Sequence, residues 1–144
     1  MIKVLLADDH QIVTDGIQSF LKEEPDIQVV GVARHGKEVL EILDRQAVDV
    51  AVLDISMPQL DGVETTQIIT RQYPQTRVLI LTIHNEGEFI LNLLRIGAYG
   101  YLLKEKSKEA LVGAIHSVYR GNRYFPPSII DKIPATYQKK EEEV

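Results

Sequence analysis

Apolar residues gather in five short runs along the chain, at 2–7, 27–33, 50–53, 77–82 and 99–103. Each has strand length and is rich in Val, Ile, Leu or Tyr. Several are almost unbroken, the pattern of strands buried on both faces of a parallel sheet. The segments between them have helical spacing. Val13, Ile17, Phe20 and Leu21 share one face, as do Val39, Leu40 and Leu43 after Gly36. Asp61 stands ahead of Val63 and Ile69, with Glu64 three residues on, which is the pattern of a capping box. Phe89, Ile90, Leu93 and Leu94 form a further stripe that ends at Gly97. Ser107 is placed to cap a last helix carrying Leu111, Ala114, Ile115 and Val118, ended near Gly121.

A strand followed by a helix, repeated through the chain, predicts a doubly wound five-stranded parallel α/β sheet. Right-handed crossovers then place helices on both faces. In such sheets the ligand site lies outside the carboxyl ends of the strands. The pattern changes after Tyr124-Phe125-Pro126-Pro127. Residues 128–133 suit one short helix, and Lys139-Lys140-Glu141-Glu142-Glu143 is a charged run without an apolar partner. The expectation is a folded domain over residues 1–124 and a solvated linker over 125–144.

The 144 residues suit one domain with one substantial core. Cysteine is absent, which excludes disulfides and thiol-rich zinc sites. The opening apolar run turns acidic at Asp8, too early for a signal peptide, and no run approaches a membrane span. Cytoplasm is the default location. A formal net charge of -5, with arginines scattered from Arg71 to Arg123, disfavours DNA binding by this chain alone.

An acidic total can also mark a cation site, and here the carboxylates fall at the strand ends. Strand one ends in Asp8-Asp9, strand three in Asp54, strand four in Thr82 and strand five in Lys104. Any one of these has a plain structural explanation: Asp9 as a helix cap, Thr82 as a β-branched strand residue, Lys104 as a surface lysine. Such explanations would have to hold separately at four strand ends. Converging carboxylates repel one another and call for a cation. Oxygen donors suit Mg²⁺ or Mn²⁺. A carboxylate beside such a cation can attack a phosphoryl group and form an aspartyl phosphate. The cation, the Lys104 ammonium and the Thr82 hydroxyl would then meet the phosphoryl oxygens.

Asp8-Asp9, Asp54-Ile55-Ser56-Met57-Pro58, Asp61-Gly62, Leu81-Thr82 and the stretch Gly97-Ala98-Tyr99-Gly100-Tyr101-Leu102-Leu103-Lys104 together resemble the receiver domain of two-component response regulators. The spacings agree: 45 residues from Asp9 to Asp54, 28 to Thr82 and 22 to Lys104. The stretch ending at Lys104 looks most like the LuxR-type (FixJ/NarL) class. The resemblance covers about residues 2–120. It implies a flavodoxin-like, CheY-like (βα)5 three-layer sandwich that accepts a phosphoryl group from a sensor histidine kinase and is no turnover enzyme. It implies Asp54 as phosphoacceptor, with Mg²⁺ (or Mn²⁺) held by Asp9, Asp54 and the Ser56 carbonyl, and by Asp8 through water. It implies Thr82 as switch hydroxyl, Tyr101 as switch aromatic and Lys104 as partner of Asp54 or its phosphate.

Phosphorylation is then expected to change self-association, as in a homodimer, or to release a tethered helix-turn-helix domain through which the longer regulator would reach DNA. The chain is expected to be that regulator cut in the linker, the alternative being a single-domain receiver acting by protein contacts. The sequence departs from the family pattern in two places. Ile83 follows Thr82 where many receivers carry a small residue, and is expected to narrow access to the phosphoryl group. Glu105 follows Lys104 where many carry proline, so a cis peptide there is disfavoured. His84 is a candidate for tuning water access, or else a plain loop histidine. His10, His35 and His116 share no ligand spacing and read as surface residues.

Two other uses of the same fold fit less well. A haloacid-dehalogenase-type phosphatase wants a second Asp where Ser56 stands. A flavin module wants a hydroxyl- and glycine-rich phosphate loop where Asp8-Asp9 stand.

Overall fold

The computed structural model describes residues 1–83 and 87–125. Five strands, β1 (Ile2–Ala7), β2 (Ile27–Ala33), β3 (Val50–Asp54), β4 (Arg77–Thr82) and β5 (Gly100–Leu103), alternate with five helices. These are α1 (Gln11–Leu21), α2 (Gly36–Arg45), α3 (Gly62–Gln72), α4 (Gly87–Arg95) and α5 (Ser107–Tyr119), with one 3₁₀ turn over Lys104–Lys106 ahead of α5. The strands form a single sheet of order β2-β1-β3-β4-β5, and every pairing is parallel. The element expectations hold, with small shifts at the edges. β3 includes Asp54 itself, β5 starts at Gly100, and Lys106 rather than Ser107 takes the N-cap position of α5.

The unbroken apolar runs are explained by burial on both faces. Every residue of β3 is buried. Its alternate side chains feed two separate cores. Ala51 and Leu53 pack with Val39, Leu43, Ile69, Ile90 and Leu93 from α2, α3 and α4. Val50 and Val52 pack with Leu21, Leu111, Ile115 and Val118 from α1 and α5. This is the three-layer sandwich, and the period of two in a strand is what splits it. Asp61 caps α3 as expected, its carboxylate accepting the Glu64 N–H at 2.9 Å. Gly97 and Gly121 end α4 and α5 with φ of 115° and 91°, a region that favours glycine.

The outer edge of β5 is covered by the chain that follows α5. Tyr101 N–H donates to the Tyr124 carbonyl at 2.9 Å, and Tyr124 N–H donates to the Tyr99 carbonyl at 3.0 Å. The guanidinium groups of Arg77 and Arg123 each lie over the Tyr99 ring, 5.2 and 5.0 Å from its centre. Phe125 still packs against the core, and the rest of the expected linker lies outside the described residues. Among the described residues no peptide bond is cis, Lys104–Glu105 included, and no helix is long and apolar enough to cross a membrane.

Candidate functional site

Parallel register brings the strand ends level. Ala7 pairs with Leu53, Asp54 with Leu81, and Thr82 with Leu103. The residues at these ends, Asp8, Asp54, Thr82 and Lys104, therefore share one edge of the sheet. Asp8, Asp54 and Thr82 are buried there, at 4%, 3% and 1% exposure. Asp8 is anchored by its backbone, whose N–H donates to the Ala33 carbonyl at 3.0 Å. Its Oδ1 accepts the His10 N–H at 2.9 Å. Lys104 reaches in from the start of the 3₁₀ turn. Its Nζ lies 3.2 Å from Asp8 Oδ2 and 3.3 Å from Asp54 Oδ2. Both of those oxygens are buried and take no hydrogen bond, so the ammonium is what offsets their charge. Asp54 Oδ1 accepts from the Ser56 N–H at a long 3.4 Å. Asp9 is not the cap of α1: His10 holds that position without a side-chain cap bond.

The charges do not balance. Burial pushes the Asp54 carboxyl above its ordinary range, and the Asp8 carboxylate adds to this, against the opposing pull of Lys104. Burial disfavours the Lys104 charge, but the Asp54 and Asp8 carboxylates outweigh it and hold the ammonium above the usual lysine range. Among the described residues, the carboxylates of Asp8, Asp9 and Asp54 thus gather around one ammonium, which is paired with Asp8 and Asp54. Ligand atoms from Asp8, Asp9, His10 and Asp54 all lie within 4.8 Å of one another. Oxygen donors, surplus negative charge and two buried carboxylate oxygens without hydrogen bonds fit a hard divalent cation.

These shifts set a pH dependence for the metal-free protein. Lys104 has a raised folded pKa, so its contribution to stability is complete below the ordinary 10.5 and is lost as pH rises through the folded value. Asp54, also raised, favours the fold most below 3.8 and loses that contribution as it ionises. In chelator, Lys104→Met is expected to cost about 3 kcal/mol at neutral pH, because it leaves two buried carboxylates without their counter-charge. Thermal melts of the two proteins should draw together as pH rises past 10.5 and meet once Lys104 is neutral in the folded state as well, since the wild type then loses what the variant already lacks. Parallel curves would show that Lys104 does not carry this charge balance.

The fold and this edge match known proteins. Residues 4–116 match the model of the response regulator receiver domain. The chain belongs to the receiver domain family. Its relatives include the transcriptional regulatory protein DegU of Brevibacillus brevis, 34% identical over 96% of this chain and 58% of that protein. A two-component response regulator of the LuxR family from Aurantimonas sp. SI85-9A1 superposes with a TM-score of 0.85 at 31% identity, over 95% of this chain and 97% of that one. The isolated REC domain of RcsB from Salmonella enterica serovar Typhimurium, in the presence of phosphomimetic BeF3⁻, superposes with a TM-score of 0.83 at 26% identity, over 92% and 99%. This receiver spans about three fifths of the length of the first curated relative. It is the receiver domain of a LuxR-family two-component response regulator, and receivers bind Mg²⁺ at an acidic cluster of the kind formed here by Asp8, Asp9 and Asp54.

Of the remaining residues singled out from the receiver's sequence, Tyr101 is buried at 1% exposure, its ring already within the core. In this conformation it has no inward rotation left to make. Ile83 is 76% exposed, an apolar side chain standing in solvent beside the site. His84 lies outside the described residues. Two histidines read as surface residues are less free than that. His35 Nδ1 accepts the Glu38 N–H and caps α2, and His116 Nε2 lies 2.7 Å from Asp26 Oδ2. The third, His10, lies beside the acidic cluster, a position that its lack of ligand spacing did not suggest. Its imidazole is largely exposed, yet its Nδ1 is 3.0 Å from Asp8 Oδ1 and 3.0 Å from Asp9 Oδ1. Its place directly after the Asp pair was the only signal.

Proposed function

We propose that Asp54 of this receiver takes a phosphoryl group from the phosphohistidine of a sensor kinase, in a cation-dependent reaction. The observation that carries this is the Lys104 ammonium shared between Asp8 and Asp54 inside a carboxylate cluster at the sheet edge. In the transfer an Asp54 oxygen attacks phosphorus, the O–P bond forms, and the donor N–P bond breaks with its electrons returning to the imidazole ring. Asp9, Asp54 and the Ser56 carbonyl would hold Mg²⁺ or Mn²⁺ directly, and Asp8 through water. When bound, the ion offsets carboxylate charge and draws electron density from the phosphoryl oxygens. Lys104 turns its ammonium from the Asp54 carboxylate to a phosphoryl oxygen, and the Thr82 hydroxyl donates to another. Movement of Thr82 toward phosphate would favour the inward Tyr101 position found here.

Residues 1–124 act as the phosphoacceptor domain, and 125–144 lead toward a helix-turn-helix output domain. The support is the coverage of 58% of a transcriptional regulator, whose remaining length has no counterpart in this chain. Phosphorylation would act on that domain or on self-association rather than create a DNA surface here, where the net charge is -5.

The test is treatment with acetyl phosphate, read by intact-protein mass spectrometry. One added phosphoryl group is expected with Mg²⁺ and none with chelator. Equal labelling in both would overturn the proposal. Asp9→Ala should weaken Mg²⁺ binding more than Asp8→Ala does, because Asp9 is the more exposed carboxylate and Lys104 does not already hold it. Equal losses in a calorimetric titration would reverse that division of roles.

A further inference from the structure

We infer that residues 123–125 form a strap whose docking on β5 follows the phosphorylation state, because Phe125 and an outward Tyr101 ring compete for the same edge of the sheet. The inference rests on the phosphoryl transfer of the proposed function and concerns how the receiver passes it on. Gly121, with φ of 91°, turns the chain back at the end of α5. Tyr124 then bridges Gly100 in parallel register. Its N–H donates to the Tyr99 carbonyl at 3.0 Å, and its carbonyl accepts the Tyr101 N–H at 2.9 Å. The Arg123 guanidinium donates to the Ala98 carbonyl at 3.2 Å. The strap behaves as a short added strand, and its side chains alternate as a strand's do. Tyr124 packs against the core under α1 and α5, and Phe125 against the core under α2, α3 and α4.

Register then sets two rings on one face. A Cβ on Gly100 would lie 3.5 Å from the Tyr124 Cβ, so these two residues share a face. One residue on, Tyr101 and Phe125 share the other face, and Phe125 packs against the core cluster that holds the Tyr101 ring. β4 flanks Tyr101 on its inner side and the strap flanks it on the outer side. A Tyr101 ring that rotates out of the core therefore moves toward Phe125. With the ring inward, as it is here at 1% exposure, Phe125 lies along β5. With the ring outward, Phe125 has to leave, and the strap loses its backbone hydrogen bonds to β5. So short a contact opens well below the free energy of global unfolding, and an event at the far end of β5 is enough to bias it. Movement of Thr82 toward phosphate favours the inward ring and with it the docked strap. The chain then leaves the phosphorylated receiver from a fixed place beside β5, and the unphosphorylated one from a looser tether.

The experiment uses the whole chain, with beryllofluoride and Mg²⁺ standing in for the phosphoryl group. Amide hydrogen exchange is read by NMR at Tyr101 and Tyr124, with the amides of β2, on the far edge of the sheet, as the reference. The Ser56 amide shift reports loading of the site, since that N–H donates to Asp54. Loading should slow exchange at Tyr101 and Tyr124 about 10-fold relative to β2. Phe125→Ala and Phe125→Val remove the ring that opposes an outward Tyr101, the second keeping an apolar, strand-favouring residue on the core. Both should cut the effect of loading to about twofold or less. A Ser56 shift without slowed exchange in wild type, or a slowing that keeps its full size in either folded variant, overturns the competition and leaves phosphoryl acceptance standing. Faster exchange at the two amides on loading also overturns it. No Ser56 shift at all would instead remove the proposed function, and with it the signal that the strap follows.

Discussion

Asp54→Asn should abolish phosphorylation and at the same time make the metal-free fold more stable. The two effects have one cause. The Asp54 carboxylate is buried beside Asp8, and both burial and the neighbouring charge disfavour its ionised form. The amide keeps the shape but lacks the anionic oxygen that attacks phosphorus. It also removes one of the carboxylates that compete for the single Lys104 ammonium. With acetyl phosphate and Mg²⁺ the variant should gain no phosphoryl group. In chelator its melting temperature should rise above that of wild type. Undiminished labelling would move the acceptor elsewhere. A lowered melting temperature would show that the Lys104–Asp54 contact outweighs the cost of burying the charge.

Gly62→Ala should destabilise the fold where β3 hands over to the site. A Cβ at this position would stand 2.6 Å from the Asp54 carbonyl oxygen and 2.8 Å from the Ile55 Cα. Both are backbone atoms and cannot swing aside, so either the end of β3 or the start of α3 has to move. The start of α3 is held by the Asp61 cap and by the Gly62 N–H, which donates to the Ile55 carbonyl at 3.0 Å. Overpacking of this kind costs about 1–3 kcal/mol. Because the strand end that shifts carries Asp54, the phosphorylation rate should fall as well. Gly16→Ala is the control. It lies in α1, where a Cβ meets nothing within 4 Å, and should stabilise by up to about 1 kcal/mol through helix propensity. Urea midpoints of the two variants should move in opposite directions. An unchanged midpoint for Gly62→Ala would mean that the turn after β3 gives way without cost.

Much of this molecule is written locally. Unbroken apolar runs such as 50–53 specify strands covered on both faces, and the stripes between them specify the covering helices. Once the strands are parallel, chain position alone puts Asp8, Asp9, Asp54, Thr82 and Lys104 at one edge. The candidate site was legible because it uses one polar residue at each of several strand ends, and strand ends are visible in sequence. What happens between those residues depends on distances across the fold. That Lys104 divides itself between Asp8 and Asp54 follows from the register of β1, β3, β4 and β5, which no local pattern contains. The same holds for Gly62, which looks like half of a turn until the Asp54 carbonyl is found against it. Tyr124 reads only as the last residue of the domain, and the fold alone shows its backbone hydrogen-bonded to Tyr99 and Tyr101 along the β5 edge. His10 shows the limit most clearly. The lack of any ligand spacing made it read as a surface residue, whereas the direction of its ring at the start of α1 puts its nitrogen on two carboxylates. Periodicity determines which face a residue lies on, but only the packed backbone determines where a side chain at the rim of a site points.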